Sequence, residues 1–571
     1  MTSETLPPAR RINFLGRACG VSDERVARWG EAAGSGREGA GWSRLALDVF
    51  TSSIGERHRN PRSGVDNEFG FAVGRIDRHG MIGKHGGRQS VVVPEPEWRA
   101  STCQLPGLWP WPVGAAAPIV GTPLGSHLRT GAPVCFDAYN WFEHGRYISN
   151  PSTFVMGLPG FGKSTLARRM VIGKVAQGIT PLVLGDLKPD YVDLVRELGG
   201  QVVSVGDGVG RINPLDVGSL GSILPLLEQR APALIDDVWQ QIYARQVIIL
   251  AGLIQIVRGG PVADFEETVL SSALKRLYTG SGFDRARYSA ESFSPSSPPV
   301  VSDLGEVIFD GDEDMIADAA ADDLAEYRTT IKPLRRALRA LARGPFGAVF
   351  NGQTTVRLDT SASSVCVDVS AVGDDSPKLM GAVLLTCWSD GFACVEAQHI
   401  LERAGLAARR NFCVVLDEMW RVLGAGVGMV DRVNALSRLN RQIGLELIQI
   451  THTFKDLRAV KTEEDRQKAI GLIERAGALI VGALPRDEMV QLAEVKPFTA
   501  AEIEMVSGWS STTAMMTEAP RRGAVRHSPP GQGNFLIKIG EAGRAGVPFR
   551  VQLTPTEMAL GVHNTNKRFE E

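Results

Sequence analysis

The chain has 571 residues, with 62 Lys and Arg against 64 Asp and Glu. This length allows about two to four domains, and the 43% hydrophobic content supports a substantial core. The balance of charge excludes a globally basic nucleic-acid binder, although local patches remain possible. None of the seven cysteines forms a CxxC pair, which favours reduced cytosolic thiols over a zinc site or a disulfide framework.

We assign residues 1–120 to an N-terminal region that is rich in Arg, Gly and Ser and has little periodicity. The polar, Arg-containing start predicts no signal peptide. Two interpretations of the first 65 residues stay open, a solvated tail and a segment that docks onto a partner. Between residues 70 and 87 we expect a loop, since Gly, His and Arg recur there without the regular spacing of metal ligands.

A phosphate-binding loop follows a predicted strand at residues 153–156. The loop reads Gly157, Leu158, Pro159, Gly160, Phe161, Gly162, Lys163 and Ser164, with Thr165 next. It matches GxxxxGK[ST] at every specified position. We predict a helix from Lys163 to about Gln177, with Leu166 and Met170 on its buried side, so the loop would hold phosphates at a helix N-terminus. Lys163 would reach the β- and γ-phosphates of ATP, and Ser164 would ligate Mg²⁺.

Strands and helices then alternate as in a parallel α/β sheet covered on both faces. The predicted elements are a strand at 181–186, a helix at 189–198, a strand at 201–205, later strands at 365–369, 412–416, 445–450 and 476–481, and a buried helix at 379–395. Residues 534–539 and 547–553 predict an alternating hairpin. We assign residues 121–218 and 347–571 to this nucleotide-binding domain.

Residues 219–346 have mostly helical periodicity, which predicts an all-α insertion. The apolar run 247–254 is too short to span a membrane and indicates a buried helix. The acidic stretch 310–323 is interpreted as a solvated helix face, with a site for a basic partner as the alternative.

The apolar strand 412–416 runs directly into Asp417 and Glu418. In a phosphate-loop ATPase, Asp417 would hold Mg²⁺ through a bound water, and Glu418 would orient and polarise the attacking water. His452 follows the strand 445–450, where it would sense the γ-phosphate or serve only as a structural histidine. Asp186 is a weaker candidate at the end of the strand 181–186.

Arg438 and Arg441 lie three residues apart on a predicted helix and would share one face. Either one could be an arginine finger that offsets charge on the γ-phosphate, acting from a neighbouring subunit. The alternative is that both are ordinary surface arginines beside acidic neighbours.

Several segments from about Gly121 onward resemble the FtsK–HerA superfamily, in particular its conjugative and type IV secretion branch, the VirB-type or TraC-like ATPases. They are Gly131-Ala132-Pro133-Val134, Asp186-Leu187-Lys188-Pro189-Asp190-Tyr191, Leu198-Gly199-Gly200, Ile212-Asn213-Pro214-Leu215-Asp216, Leu416-Asp417-Glu418-Met419-Trp420 and the closing His563-Asn564-Thr565-Asn566-Lys567-Arg568. The chain departs from that family at His452, where Gln is frequent, and at Arg438-Leu439-Asn440-Arg441-Gln442, which replaces the usual Arg-Lys.

This resemblance implies a RecA-like P-loop core with a helical insertion, assembled as a homo-oligomer, usually a hexameric ring. It also implies an ATP-hydrolysing motor in a conjugation-like or type IV secretion system, which powers DNA or protein transfer or channel assembly. The protein would be cytoplasmic, peripheral at the inner face of the membrane, with secretion-channel partners and a DNA or nucleoprotein substrate. The alternatives are a HerA/FtsK-like DNA translocase in chromosome processing and a nucleotide-dependent scaffold.

Overall fold

The computed structural model describes residues 118–279, 298–373, 376–437, 445–510, 529, 531–540 and 545–563, and two short strands near the N-terminus. The predicted tail or docking segment at residues 1–65 lies outside these ranges, as do Arg438 and Arg441. The two N-terminal strands, β1 (Arg75–Asp77) and β2 (Gly80–Ile82), pair antiparallel. The loop expected at residues 70–87 is therefore a hairpin at its centre, because backbone pairing needs no regular spacing of side chains.

Eleven strands form one mixed sheet in the described part of the chain. They are β3 (Pro123–His127), β4 (Pro133–Cys135), β5 (Ser152–Met156), β6 (Thr180–Asp186), β7 (Gln201–Ser204), β8 (Val365–Asp368), β9 (Phe412–Leu416), β10 (Glu446–Ile450), β11 (Ala478–Val481), β12 (Asn534–Ile539) and β13 (Val547–Val551). Their spatial order is β4-β3-β13-β12-β11-β5-β10-β9-β6-β8-β7.

The seven strands from β11 to β7 in that order are parallel, as the alternation of strands and helices predicted. The other four extend the sheet in antiparallel fashion. The β12–β13 hairpin forms as predicted, but β12 is not alternating: five of its six residues are buried. It lies between β11 and β13 with both faces covered, and its Lys538 is neutralised by Glu502 at 2.8 Å.

Helices cover both faces of the sheet. Those of the nucleotide-binding part are α1 (Ala138–Glu143), α2 (Lys163–Ala176), α3 (Val192–Glu197), α13 (Pro377–Arg403), α14 (Trp420–Ala425), α15 (Met429–Ser437), α16 (Phe454–Arg458), α17 (Glu463–Arg475), α18 (Arg486–Ala493), α19 (Ala500–Trp509) and α20 (Pro555–Ala559). Those between β7 and β8 are α4 (Gly218–Ser222), α5 (Leu224–Arg230), α6 (Ile235–Arg258), α7 (Asp264–Thr279), α8 (Val301–Asp310), α9 (Glu313–Asp318), α10 (Leu324–Thr330), α11 (Lys332–Ala342) and α12 (Gly344–Phe350).

Successive side chains of the parallel strands point into two hydrophobic cores, one on each face. Phe154 and Met156 of β5 enter one core, together with α13 and the helices between β7 and β8. Val155 enters the other, with α2. The helical segment at residues 219–346 therefore shares a continuous core with the sheet. The five described cysteines are buried and free.

The phosphate-loop helix α2 is more deeply buried than its sequence indicated. We expected one buried side, yet every residue from Leu166 to Ala176 is buried. Lys174 is fully buried, where it pairs with Asp137 at 2.9 Å and with Glu446. These two carboxylates neutralise the Lys174 ammonium. A lysine in this helix sequence therefore does not indicate a solvent-exposed face.

In the part of the chain that the structure describes, two helices are long and apolar enough to cross a membrane by length and composition alone: Pro232–Arg258 and Pro377–Arg403. The first contains the run 247–254, which lies in a longer helix and is largely buried, as predicted. Within the protein, 56% and 89% of their apolar windows are buried. Buried core helices also meet this criterion of length and composition, and the burial of these two helices is typical of core helices.

The acidic stretch 310–323 is only partly the solvated face that we expected. Asp312 caps the N-terminus of α9 and pairs with Arg276, and Asp323 caps α10. Asp318 accepts a hydrogen bond from Ser272 at 2.6 Å. Aspartate is favoured at the N-cap positions of Asp312 and Asp323 because its carboxylate binds free N–H groups at the start of a helix.

Candidate nucleotide site

The phosphate loop connects the end of β5 to the start of α2. Gly160 and Gly162 have φ values of 82° and 97°, which residues with a Cβ rarely adopt, and Gly162 is the N-cap residue of α2. The loop is anchored by bonds from the Gly157 N–H to the His452 carbonyl and from the Leu158 N–H to the Ala483 carbonyl, both 2.9 Å. This is the strand, loop and helix predicted for phosphate binding.

Lys163 points back into the loop. Its Nζ donates to the carbonyl oxygens of Gly157 at 2.6 Å and Leu158 at 3.2 Å. Burial lowers the pKa of Lys163 to about 8, although the charges of Asp417 and Glu418 act to raise it. The amine is thus held inside the cradle where a phosphate would take over its hydrogen bonds.

Asp417 lies at the end of β9, facing the loop. Tyr191 donates its hydroxyl to Asp417 Oδ2 at 3.1 Å, and the Glu418 N–H donates to Oδ1 at 2.9 Å. Burial raises the pKa of Asp417 to about 6, and the charge of Glu418 acts in the same direction. A cation beside this carboxylate would be stabilised by its charge.

Glu418 has a left-handed backbone, with φ of 52°. Its Oε2 accepts hydrogen bonds from the indole Nε1 of Trp420 at 2.6 Å and from Nε2 of His452 at 3.1 Å. Burial alone would raise the pKa of Glu418, but the hydrogen bond and charge of His452 and the bond from Trp420 lower it to about 2. The structure thus brings His452 to Glu418, a contact that our sensor assignment did not foresee.

The turn after β6 brings the weaker candidate Asp186 to the site, together with Lys188 and Asp190, to which we had assigned no role. The Asp186 carboxylate accepts the N–H groups of Asp190 at 3.0 Å and Tyr191 at 2.7 Å. It folds the turn so that the Asp190 carboxylate reaches the Ser164 hydroxyl and Lys188 enters the cavity. The sequence signal was the Asp186–Tyr191 segment of the family resemblance, which gave no individual roles.

Arg168 and Gln532 had no sequence signal. The buried Arg168 guanidinium donates to the carbonyl oxygens of Ser164, Asp190, Val562 and His563 at 2.9–3.3 Å. Gln532 donates to the Gly160 carbonyl at 2.9 Å. These contacts bring the C-terminal segment to the phosphate loop, and only the folded chain reveals them.

An open cavity of about 610 Å³ joins these groups. It is lined by Pro159, Gly160, Gly162, Lys163, Ser164, Thr165, Arg168, Asp186, Leu187, Lys188, Asp190, Asp417, Glu418, His452, Gln532 and His563. No three His, Cys, Asp or Glu side chains of the described residues cluster as a protein-only metal site. Few protein oxygens beside a phosphate cradle fit Mg²⁺, which is usually held by one or two protein groups, waters and phosphates.

No family model matches the sequence, and no curated protein matches it. Among solved structures, the chain is similar to VirB4 of Thermoanaerobacter pseudethanolicus, with 19% identity, a TM-score of 0.54, and coverage of 78% of this chain and 99% of that chain. Two structures of the plasmid coupling protein TrwB also match, one with ADP and Mg²⁺ and one with the ATP analogue ADPNP. Both are 11% identical, with TM-scores of 0.39 and 0.40, and they cover 80% and 81% of this chain and 93% and 96% of theirs. The likeness to VirB4 confirms the predicted fold: the chain is an α/β protein with a RecA-like P-loop core.

Proposed function

We propose that this protein binds Mg²⁺ and ATP in the cavity above the phosphate loop and hydrolyses the ATP. The observation that carries the proposal is the meeting of Lys163 and Ser164 with Asp417 and Glu418 in one cavity, on a fold shared with VirB4. The N–H groups of residues 160–165 and the Lys163 amine would hold the phosphates. Ser164 and Asp417 would hold Mg²⁺, which when bound would neutralise phosphate charge.

Glu418 is the proposed general base. Its pKa of about 2 keeps it ionised at neutral pH, so its charge can orient and polarise a water directed at the γ-phosphate. Trp420 and His452 fix its Oε2, which leaves Oε1 to orient that water. Arg438 or Arg441 is proposed to stabilise charge on the γ-phosphate from a neighbouring subunit.

The proposed role is that of a motor for a conjugation-like or type IV secretion system, assembled as a homo-oligomeric ring that is usually hexameric. Residues 121–218 and 347–571 would be the ATPase domain, residues 219–346 its helical insertion, and residues 1–120 a partner-docking region. DNA or nucleoprotein would be the substrate, and channel proteins would hold the ring peripherally at the inner face of the cell membrane. The fold and the near-neutral charge support this role over a free DNA translocase.

Membrane fractionation with and without co-expressed secretion-channel proteins tests the role. We expect the full-length chain to sediment with membranes only when those proteins are present, and to bind duplex DNA weakly. Tight, salt-sensitive duplex binding with strong stimulation of ATP hydrolysis by DNA, and no partner-dependent sedimentation, would replace the secretion role with the translocase role.

A further inference from the structure

The helices between residues 301 and 343 carry two exposed groups of opposite charge. Between Asp310 and Arg343 the chain has eight acidic side chains, all before Tyr327, and six basic ones, all after it. Such segregation is not needed for solubility, which interspersed charges provide equally well. The segregation of charge gives the helices between residues 301 and 343 one acidic part and one basic part.

The basic part is a stripe on α11. This helix buries Leu334, Ala337, Leu338 and Leu341 on one face. Away from that face are four exposed cations, which we call the basic stripe: Lys332, Arg336, Arg339 and Arg343. Spacings of four and three residues align the first three, and Arg343 follows at the C-cap. Within the described residues, no acidic side chain forms an ion pair with any of the four.

Two neighbouring arginines, Arg328 and Arg335, make contacts within the fold. Arg328 and Arg335 stack on the Phe309 ring, at 4.5 and 3.9 Å from its centroid. Two cations of this segment are therefore used inside the fold, whereas the four cations of the stripe are presented to solvent. Their contribution to the stability of the isolated chain is small, as for other exposed charges.

Besides Asp310 on α8 and Glu326 on α10, the acidic part has four exposed carboxylates at the starts of α9 and α10, which we call the acidic group: Glu313, Asp314, Asp322 and Asp323. It excludes Asp312 and Asp318, which are bound to Arg276 and Ser272. Asp323 uses one oxygen to cap α10 and still faces solvent.

We propose that the basic stripe of one copy of this chain binds the acidic group of a second copy. Only α10, seven residues or about 10 Å long, separates the acidic group from the stripe in sequence. A polyanion such as DNA on the stripe would meet these carboxylates within a short distance and be repelled. A second copy offers both charges, and a head-to-tail contact between two different patches builds a ring when the rotation between copies closes.

This inference rests on the proposed ring. Its test is the association of full-length chains measured by sedimentation velocity. The association constant of the wild-type chain should fall at least tenfold from 0.1 to 0.5 M NaCl, because salt screens exposed ion pairs. Two double variants should each have an association constant at least tenfold lower than that of wild type. One is Arg336→Glu with Arg339→Glu, and the other is Asp314→Lys with Asp322→Lys. Arg129→Glu with Lys461→Glu, two exposed cations elsewhere, should associate as wild type does.

Mixing the two defective variants gives the decisive result. In an alternating ring the substituted side chains of one variant would face those of the other with opposite sign, so an equimolar mixture should recover most of the wild-type association. The milder Arg336→Gln with Arg339→Gln should show an intermediate loss and a reduced salt dependence.

Association that is insensitive to salt, or a mixture that stays dissociated while each variant is folded by circular dichroism, would overturn the inference. Loss of duplex DNA binding with unchanged association would assign the stripe to nucleic acid. A wild-type chain that never associates would refute the proposed ring itself.

Discussion

The indole Nε1 of Trp420 lies 2.6 Å from Oε2 of Glu418, the proposed general base. The two residues are close in sequence, and the left-handed backbone of Glu418 turns its side chain towards the ring. Because His452 shares the same oxygen, one face of the carboxylate is fixed by two donors. Trp420 is therefore a positioning residue, not a group that reacts.

Replacing Trp420 by Phe should lower kcat about tenfold, since a hydrogen bond to a charged group contributes about 1.5–3 kcal/mol. The KM for ATP should change by less than twofold, because Trp420 is not among the residues that line the cavity. Steady-state hydrolysis measures both constants. Trp239→Phe, on α6 away from the cavity, is the matched control. An equal change in kcat for the two variants would remove the positioning role.

Tyr191→Phe removes the hydroxyl that donates to Asp417. We expect the Mg²⁺ concentration for half-maximal hydrolysis to rise several-fold, because the carboxylate loses the donor that orients it. The rate at saturating Mg²⁺ should stay close to wild type. A titration of activity with Mg²⁺ tests this, with Tyr243→Phe as control. A lower rate at saturation with an unchanged Mg²⁺ midpoint would contradict the assignment.

The buried group of Lys174, Asp137 and Glu446 should be essential for stability. Lys174→Met leaves two buried carboxylates without their cation, and the free energy of unfolding should fall by about 3–5 kcal/mol. Adding Asp137→Asn and Glu446→Gln to the same chain should recover part of that loss. Urea unfolding followed by circular dichroism compares the variants. A triple variant less stable than Lys174→Met would show that charge is not the main contribution.

Stability in acid should depend on Glu557. Burial would raise the pKa of this carboxyl, but Arg169 at 2.8 Å, His563 and the Thr554 N–H together hold it below its usual value. A lowered pKa stabilises the folded state above the unfolded value of 4.5, and this stabilisation is lost as the pH falls below it. Between pH 5 and 3, wild type should lose stability more steeply than Glu557→Gln.

Urea unfolding at each pH measures these slopes. Glu143→Gln removes an exposed carboxyl and should keep the wild-type slope. Parallel curves for wild type and Glu557→Gln would show that the Arg169 contact does not shift the proton equilibrium.

The phosphate loop, the strands around it and the Asp417–Glu418 pair were predictable because each leaves a local pattern. A buried strand reads as an apolar run, and the loop has a fixed spacing. Long-range contacts leave no such pattern. Arg168 reaches Val562 across 394 positions, and nothing near Arg168 in sequence indicates its partners. Burial of β12 likewise depends on its place between two strands. The short strands β1 and β2 lie in a Gly-rich segment where hydrophobic periodicity is absent.

The account is tested most directly by ATP hydrolysis and nucleotide binding measured on the same preparations of wild type, Lys163→Ala and Glu418→Gln. Wild type should hydrolyse ATP only with a divalent metal. Lys163→Ala should lose both binding and turnover, because it removes a phosphate contact. Glu418→Gln should bind Mg²⁺–ATP as wild type does, with turnover reduced at least a hundredfold. Hydrolysis by Glu418→Gln at the wild-type rate would contradict the account.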